Sequence, residues 1–218
     1  MTTAQSRIIY TPPSEGSWKI PDVLYRGERC TYELFERMTP SLNQDKLSEL
    51  YNKEKNAGNP HPTDMPLLWA IATQAYELRE EEGSERLRAF LRDGIRKWPN
   101  TLTRIAYTSE GEDRVIHNYK TSDEYSLAEN IVGSDGFISE IPDSSVLETI
   151  LGAKDVQKIN AVSQYLNGTP TYLWRVNAKP KQKDERVARF YADGDWLDLY
   201  CVRRVDIEDA AFRVLRVE

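Results

Sequence analysis

The chain has 218 residues, 39% of them hydrophobic, and a formal net charge of −6, which suits one domain or two small ones with an ordinary core. The acidic balance works against broad attraction to nucleic acid or to an anionic membrane. The longest apolar run, residues 65–72, is interrupted by Pro66 and falls far short of the ~20 residues of a membrane helix.

The first 29 residues, punctuated by Pro12, Pro13, Gly16, Pro21 and Gly27, read as an extended arm without a signal-peptide core. Leu34, Phe35 and Met38 predict a helix over residues 31–38, ended by Pro40. Ser41 and Gln44 have capping-box spacing ahead of a helix carrying Leu47, Leu50 and Tyr51. A third helix opens at Thr63 with Pro66 in its first turn, and its broad apolar stripe from Leu67 to Leu78 predicts the most buried helix. Gly83-Ser84 then recaps the chain into a helix bearing Leu87, Phe90, Leu91, Gly94, Ile95 and Trp98, so the last two helices form an antiparallel hairpin.

After Pro99 the period changes from about 3.6 to 2. Residues 103–108 and 113–119 flank Glu110-Gly111 as a β-hairpin that sets Ile105 opposite Ile116 and Arg104 opposite His117. Thr121/Glu124 and Ser145/Glu148 read as capping boxes of short helices, and residues 154–166 as a longer one closed by Asn167-Gly168. Strands follow at 171–177, 186–192, 195–203 and 212–217. The expected fold class is therefore α+β: a helical N-terminal half, a helical hairpin, packed on a mostly antiparallel C-terminal sheet. In domain terms, the arm 1–29 precedes a single domain, 30–218, with a helical part 30–99 and a sheet-rich part 100–218.

Asp193-Gly194 suits a two-residue hairpin turn, and reading outward from it sorts the flanking strands into two rows. Phe190, Ala188, Leu197, Leu199 and Cys201 make a core row. Tyr191, Trp196, Tyr200, Arg189 and Asp198 make the other, with Tyr191 opposite Trp196 and Arg189 opposite Asp198. Tyr172 and Trp174 join this second row if residues 179–184 are a hairpin loop, which would set Trp174 beside Arg189. Trp, Tyr and Arg are common interface anchors, so these seven residues are the candidate partner-binding set, although a covered face with a satisfied Arg–Asp pair fits the same pattern.

Candidates for chemistry are few. His117 with Arg104 is the catalytic possibility, against ordinary strand packing; His61, between two prolines, reads as structural. Neither histidine has a partner at metal-ligand spacing. Lys179, Lys181 and Lys183 form a basic loop that could meet a nucleic-acid backbone, or simply be a solvated connection. Asp193/Asp195 and Asp206/Glu208/Asp209 are paired carboxylates, and the first pair is explained by turn conformation. Cys30 and Cys201 read as buried free thiols suited to a reducing cytoplasm. No cofactor or metal is implied. The sequence favours a non-enzymatic interaction or structural protein, a subunit of a larger assembly that meets a protein partner or another copy of itself. The alternative is an enzyme acting on nucleic acid or nucleotides, using Lys181, Asp193 and Asp195.

Overall fold

The structure is a computed structural model that describes residues 8–11, 16–50, 58–141, 144–192 and 194–217. Alternation, rather than helical spacing, governs its first part. β1 (Ile9–Thr11), β2 (Ser17–Tyr25) and β3 (Glu28–Phe35) form an antiparallel meander. Arg26 and Gly27, with φ of 53° and 81°, close the β2–β3 hairpin. A two-residue turn left-handed at both positions matches the twist of the strands it joins, and glycine adopts it without steric cost.

The helical N-terminal half expected from the sequence is thus overturned. The helix expected over 31–38 is strand as far as Phe35, and residues within the expected arm 1–29 supply β1, β2 and the start of β3. Leu34, Phe35 and Met38 do have helical spacing, but Cys30, Tyr32 and Leu34 are buried at alternate positions, as are Trp18 and Ile20 on β2. Tertiary pairing of these half-buried surfaces overrides the local period.

β4 (His61–Pro62) and β12 (Arg213–Arg216) complete the first sheet in the order β1-β2-β3-β12-β4, so the last strand inserts beside the first hairpin. The second sheet holds β5 (Arg104–Tyr107), β6 (Asp113–His117), β7 (Tyr125–Glu129), β8 (Gly136–Phe137), β9 (Thr171–Trp174), β10 (Asp184–Ala192) and β11 (Leu197–Arg204). Its order is β7-β6-β5-β10-β11-β9-β8. All its pairings are antiparallel except β9 with β11.

Five helices complete the described fold: α1 (Gln44–Glu49), α2 (Met65–Glu77), α3 (Ser84–Ile95), α4 (Ser145–Leu151) and α5 (Val156–Asn167). α1 is capped by Asn43, whose Oδ1 accepts from the Lys46 amide at 3.0 Å, and not by Ser41. α2 has the expected Pro66 in its first turn and Asp64 as its cap. The short helix expected at Thr121 does not form; Glu124 accepts from the Lys120 amide at 2.7 Å and the chain continues into β7.

α2 and α3 reach both sheets. Trp18 of β2 stacks on Phe90 of α3 with ring centres 4.5 Å apart, and Trp69 of α2 meets Phe190 of β10 at 5.6 Å. One buried apolar cluster runs through both sheets and α2–α5. Both cysteines are buried and free. Among the described residues no helix is long and apolar enough to cross a membrane.

Candidate functional site

β10 and β11 keep the two rows that the sequence implies, in a shifted register. Tyr191 pairs with Asp198 and Arg189 with Tyr200, two positions on from the register set by an Asp193-Gly194 turn; Asp193 itself lies outside the described residues. Side chains alternate with period 2, so a slip by two leaves each on its own face. A bulge near Ala188 then moves Val187 opposite Arg203. The larger correction concerns β9. It runs parallel to β11 at the far side from β10, with Tyr172 beside Asp198 and Trp174 beside Tyr200, so Trp174 is not next to Arg189. The indole nitrogen of Trp174 donates to Asp198 Oδ1 at 2.8 Å.

The result is a continuous aromatic layer on the face opposite Leu173, Phe190, Leu197 and Leu199. Phe137 meets Tyr172 at 5.1 Å and Trp196 at 5.8 Å; Tyr172 meets Trp196 at 5.2 Å and Trp174 at 4.9 Å. Trp174 meets Tyr200 at 6.1 Å, Tyr200 meets Trp98 at 5.6 Å, and Trp98 stacks on Tyr191 at 3.7 Å. All seven side chains are partly exposed. Sequence reading missed two of them. Trp98 has helical spacing with Ile95, yet α3 ends at Ile95 and Trp98 sits at φ 58°, which turns its ring onto the sheet. Phe137 is on a two-residue strand that carries no periodicity.

Arg189 is wholly buried beneath this layer. Its Nη1 donates to Asp209 Oδ2 at 2.6 Å and to the Trp98 carbonyl at 3.0 Å, and its guanidinium lies 4.5 Å from the Trp98 ring centre. The expected Arg189–Asp198 pair is therefore replaced by Arg189–Asp209, with Arg203 sharing the same carboxylate at 3.1 Å. Arg189 anchors the layer from below; it is not a surface contact.

The two catalytic candidates are separated. β5 and β6 pair Arg104 with Ile116, one position from the expected register, so Arg104 and His117 lie on opposite faces. Arg104 donates to Gln44 Oε1 at 2.7 Å and Glu185 at 2.9 Å, and its guanidinium lies 3.5 Å from the Tyr119 ring centre. It clamps α1 to the sheet. His117 Nε2 faces the Thr149 carbonyl at 2.9 Å, so Nε2 carries the proton, and Nδ1 accepts from the Thr103 hydroxyl at 2.9 Å. Burial pushes this imidazole down to about 4. In the basic loop Lys179 pairs with buried Asp113 at 2.6 Å and Lys183 with Glu185 at 2.5 Å, while Lys181 is exposed. Among the described residues no three His, Cys, Asp or Glu side chains gather as a metal site.

A polar network not visible in the sequence joins the two sheets. Tyr25 donates to Asp64 Oδ2 at 2.8 Å, Asp64 Oδ1 accepts from the Leu67 amide at 2.8 Å, and Asn118 donates to the Tyr25 oxygen at 3.1 Å. Burial raises the Asp64 carboxyl to about 6. Its folded-state pKa lies above the unfolded one, so protonation between pH 6 and 3.8 favours the fold. His117 is shifted the opposite way, and its contribution is lost as pH falls from 6.5 to 4. Each shift is worth roughly 3 kcal/mol, so the two nearly cancel. Relative to wild type, Asp64→Asn is expected to lose stability on acidification across that window and His117→Gln to gain it. Urea denaturation at several pH values checks this, and parallel profiles for both variants contradict it.

No family model, curated protein or solved structure matches this chain.

Proposed function

We propose that the chain is a non-enzymatic binding protein that docks a partner protein on the aromatic face of its seven-stranded sheet, as a subunit of a larger assembly. The observation that carries this reading is the unbroken run of seven partly exposed rings from Phe137 to Tyr191. Tyr and Trp are enriched at the centres of protein interfaces, where they bury much area at small entropic cost. The rings lie against one another, two pairs stacked, three edge-on and two tilted, which leaves few open shelves for bases. Pairing of Lys179 and Lys183 with carboxylates weighs in the same direction, against the nucleic-acid alternative. Two buried free thiols suit a reducing cytoplasm.

The test uses a Tyr172→Ala, Trp196→Ala variant. Both rings lie outside the core, so the variant is expected to fold and to melt within several degrees of wild type, while its retention of a co-purifying partner falls by about tenfold or more. A folded variant that retains the same proteins as wild type counts decisively against the reading.

A further inference from the structure

A cavity of about 460 Å³ opens where the tip of the β2–β3 hairpin, the end of β12, β4 and the segment joining β6 to β7 meet, a volume within the range of about 300–1,000 Å³ typical of small-molecule sites. Its chemistry is unlike that of the aromatic face. The hairpin turn supplies Arg26, whose guanidinium lies over the Tyr125 ring at 4.3 Å and has no ion-pair partner among the described residues. A guanidinium laid flat on a ring keeps its fork of N–H donors for a planar carboxylate. Tyr32, 4% exposed, lines the cavity, and its hydroxyl makes no hydrogen bond among the described residues. The phenol oxygen is not sealed off from the cavity, so it stands ready to donate to a ligand there.

The lining also carries acceptors. Glu28 sits 3.2 Å from Arg216, and Asp123 comes from the β6–β7 segment beside Asn118. Among the described residues of the lining, two guanidinium groups stand against two carboxylates, so neither a simple anion nor a simple cation is favoured. A compact molecule bearing both charges can address both kinds of group. We propose that this cavity binds a free amino acid, its carboxylate held by Arg26 and the Tyr32 hydroxyl and its ammonium directed to Asp123. The site is separate from the aromatic face, and either can fail alone.

The test titrates the proteinogenic L-amino acids into the intact chain by calorimetry, with acetate, inorganic phosphate and ethylamine as single-charge controls. Cys30 also lines the cavity, whereas Cys201 is wholly buried in the core, so protection of Cys30 from iodoacetamide locates the binding. At least one amino acid is expected to bind, to slow Cys30 alkylation, and to bind about tenfold more weakly to Arg26→Gln, a loss of one charged hydrogen-bonding partner. Arg26 is exposed and makes no ion pair, so that variant should melt as wild type does. Tyr32→Phe should weaken binding in the same direction. The proposal is overturned if no amino acid binds, if a single-charge control binds as tightly, or if binding leaves Cys30 alkylation and the Arg26→Gln affinity unchanged.

Discussion

Replacing Asp113 with alanine is expected to lower folding stability by about 3–5 kcal/mol, the scale for removing one partner of a buried charged network. Asp113 is fully buried at the start of β6. It accepts from the amides of Thr108 at 2.9 Å, Ile131 at 3.0 Å and Val132 at 3.3 Å, and from Lys179 Nζ at 2.6 Å. One carboxylate therefore fixes the β5–β6 turn, the exit from β7 and the basic loop. Alanine leaves the Ile131 amide buried without an acceptor, and Lys179, partly exposed, recovers only its own solvation. Urea denaturation reads the loss, and hydrogen exchange should show Thr108 and Ile131 losing protection first. A change below about 1 kcal/mol means that water replaces the carboxylate without cost, and contradicts the argument.

Gly94→Ala should be nearly as damaging for a different reason. A Cβ built on Gly94 would stand 2.2 Å from Phe212 Cζ and 2.6 Å from its Cε1. Phe212 is wholly buried and sits edge-on to Phe90 at 5.6 Å, so the ring cannot retreat freely. Overpacking of this kind costs about 1–3 kcal/mol, which lowers the melting temperature by roughly 2–12 °C in a chain of this size. Phe212→Leu makes room, so the double variant should be more stable than the sum of the two losses by about 1 kcal/mol. Strict additivity would mean that the ring is not what meets the new methyl group.

Several elements were legible in the sequence because their signals are local. Pro66 in a first turn marks α2, and Gly83-Ser84 marks the break before α3. Asn167-Gly168 marks the end of α5. Alternation in residues 186–201 sorts the two faces of β10 and β11. What failed depends on which segments meet. Nothing within residues 17–35 reveals that β12, about 180 residues later, pairs with β3, and without that neighbour the Leu34, Phe35, Met38 spacing reads as helix. Nor does a long loop after β9 reveal that the strand runs parallel to β11.

The aromatic face was legible in part for the same reason. Tyr191, Tyr200 and Asp198 lie near one another in sequence, so alternation places them on one row. Trp98 and Phe137 join from distant segments, and no spacing announces them. The cavity near Arg26 is more extreme. Tyr32, His61, Asn118 and Arg216 converge there from four separate stretches, each unremarkable alone. Gln44 shows a third kind of miss: capping-box spacing is present, yet its amide is buried between the Thr101 carbonyl at 3.0 Å and Arg104 at 2.7 Å. A buried guanidinium in need of acceptors outweighs a cap that Asn43 supplies as well.

Site-specific photocrosslinking tests the proposed docking face most directly. A benzophenone amino acid in place of Phe137, at the rim of the aromatic layer, should give one discrete heavier adduct in extract of the native cells, and Trp196→Ala in the same chain should abolish it. The same photoreactive group in place of Leu127, exposed on β7 at the other edge of that sheet, should give none. An adduct from position 127 but not 137, or identical adducts with and without Trp196, would show that partners do not meet the chain through these rings.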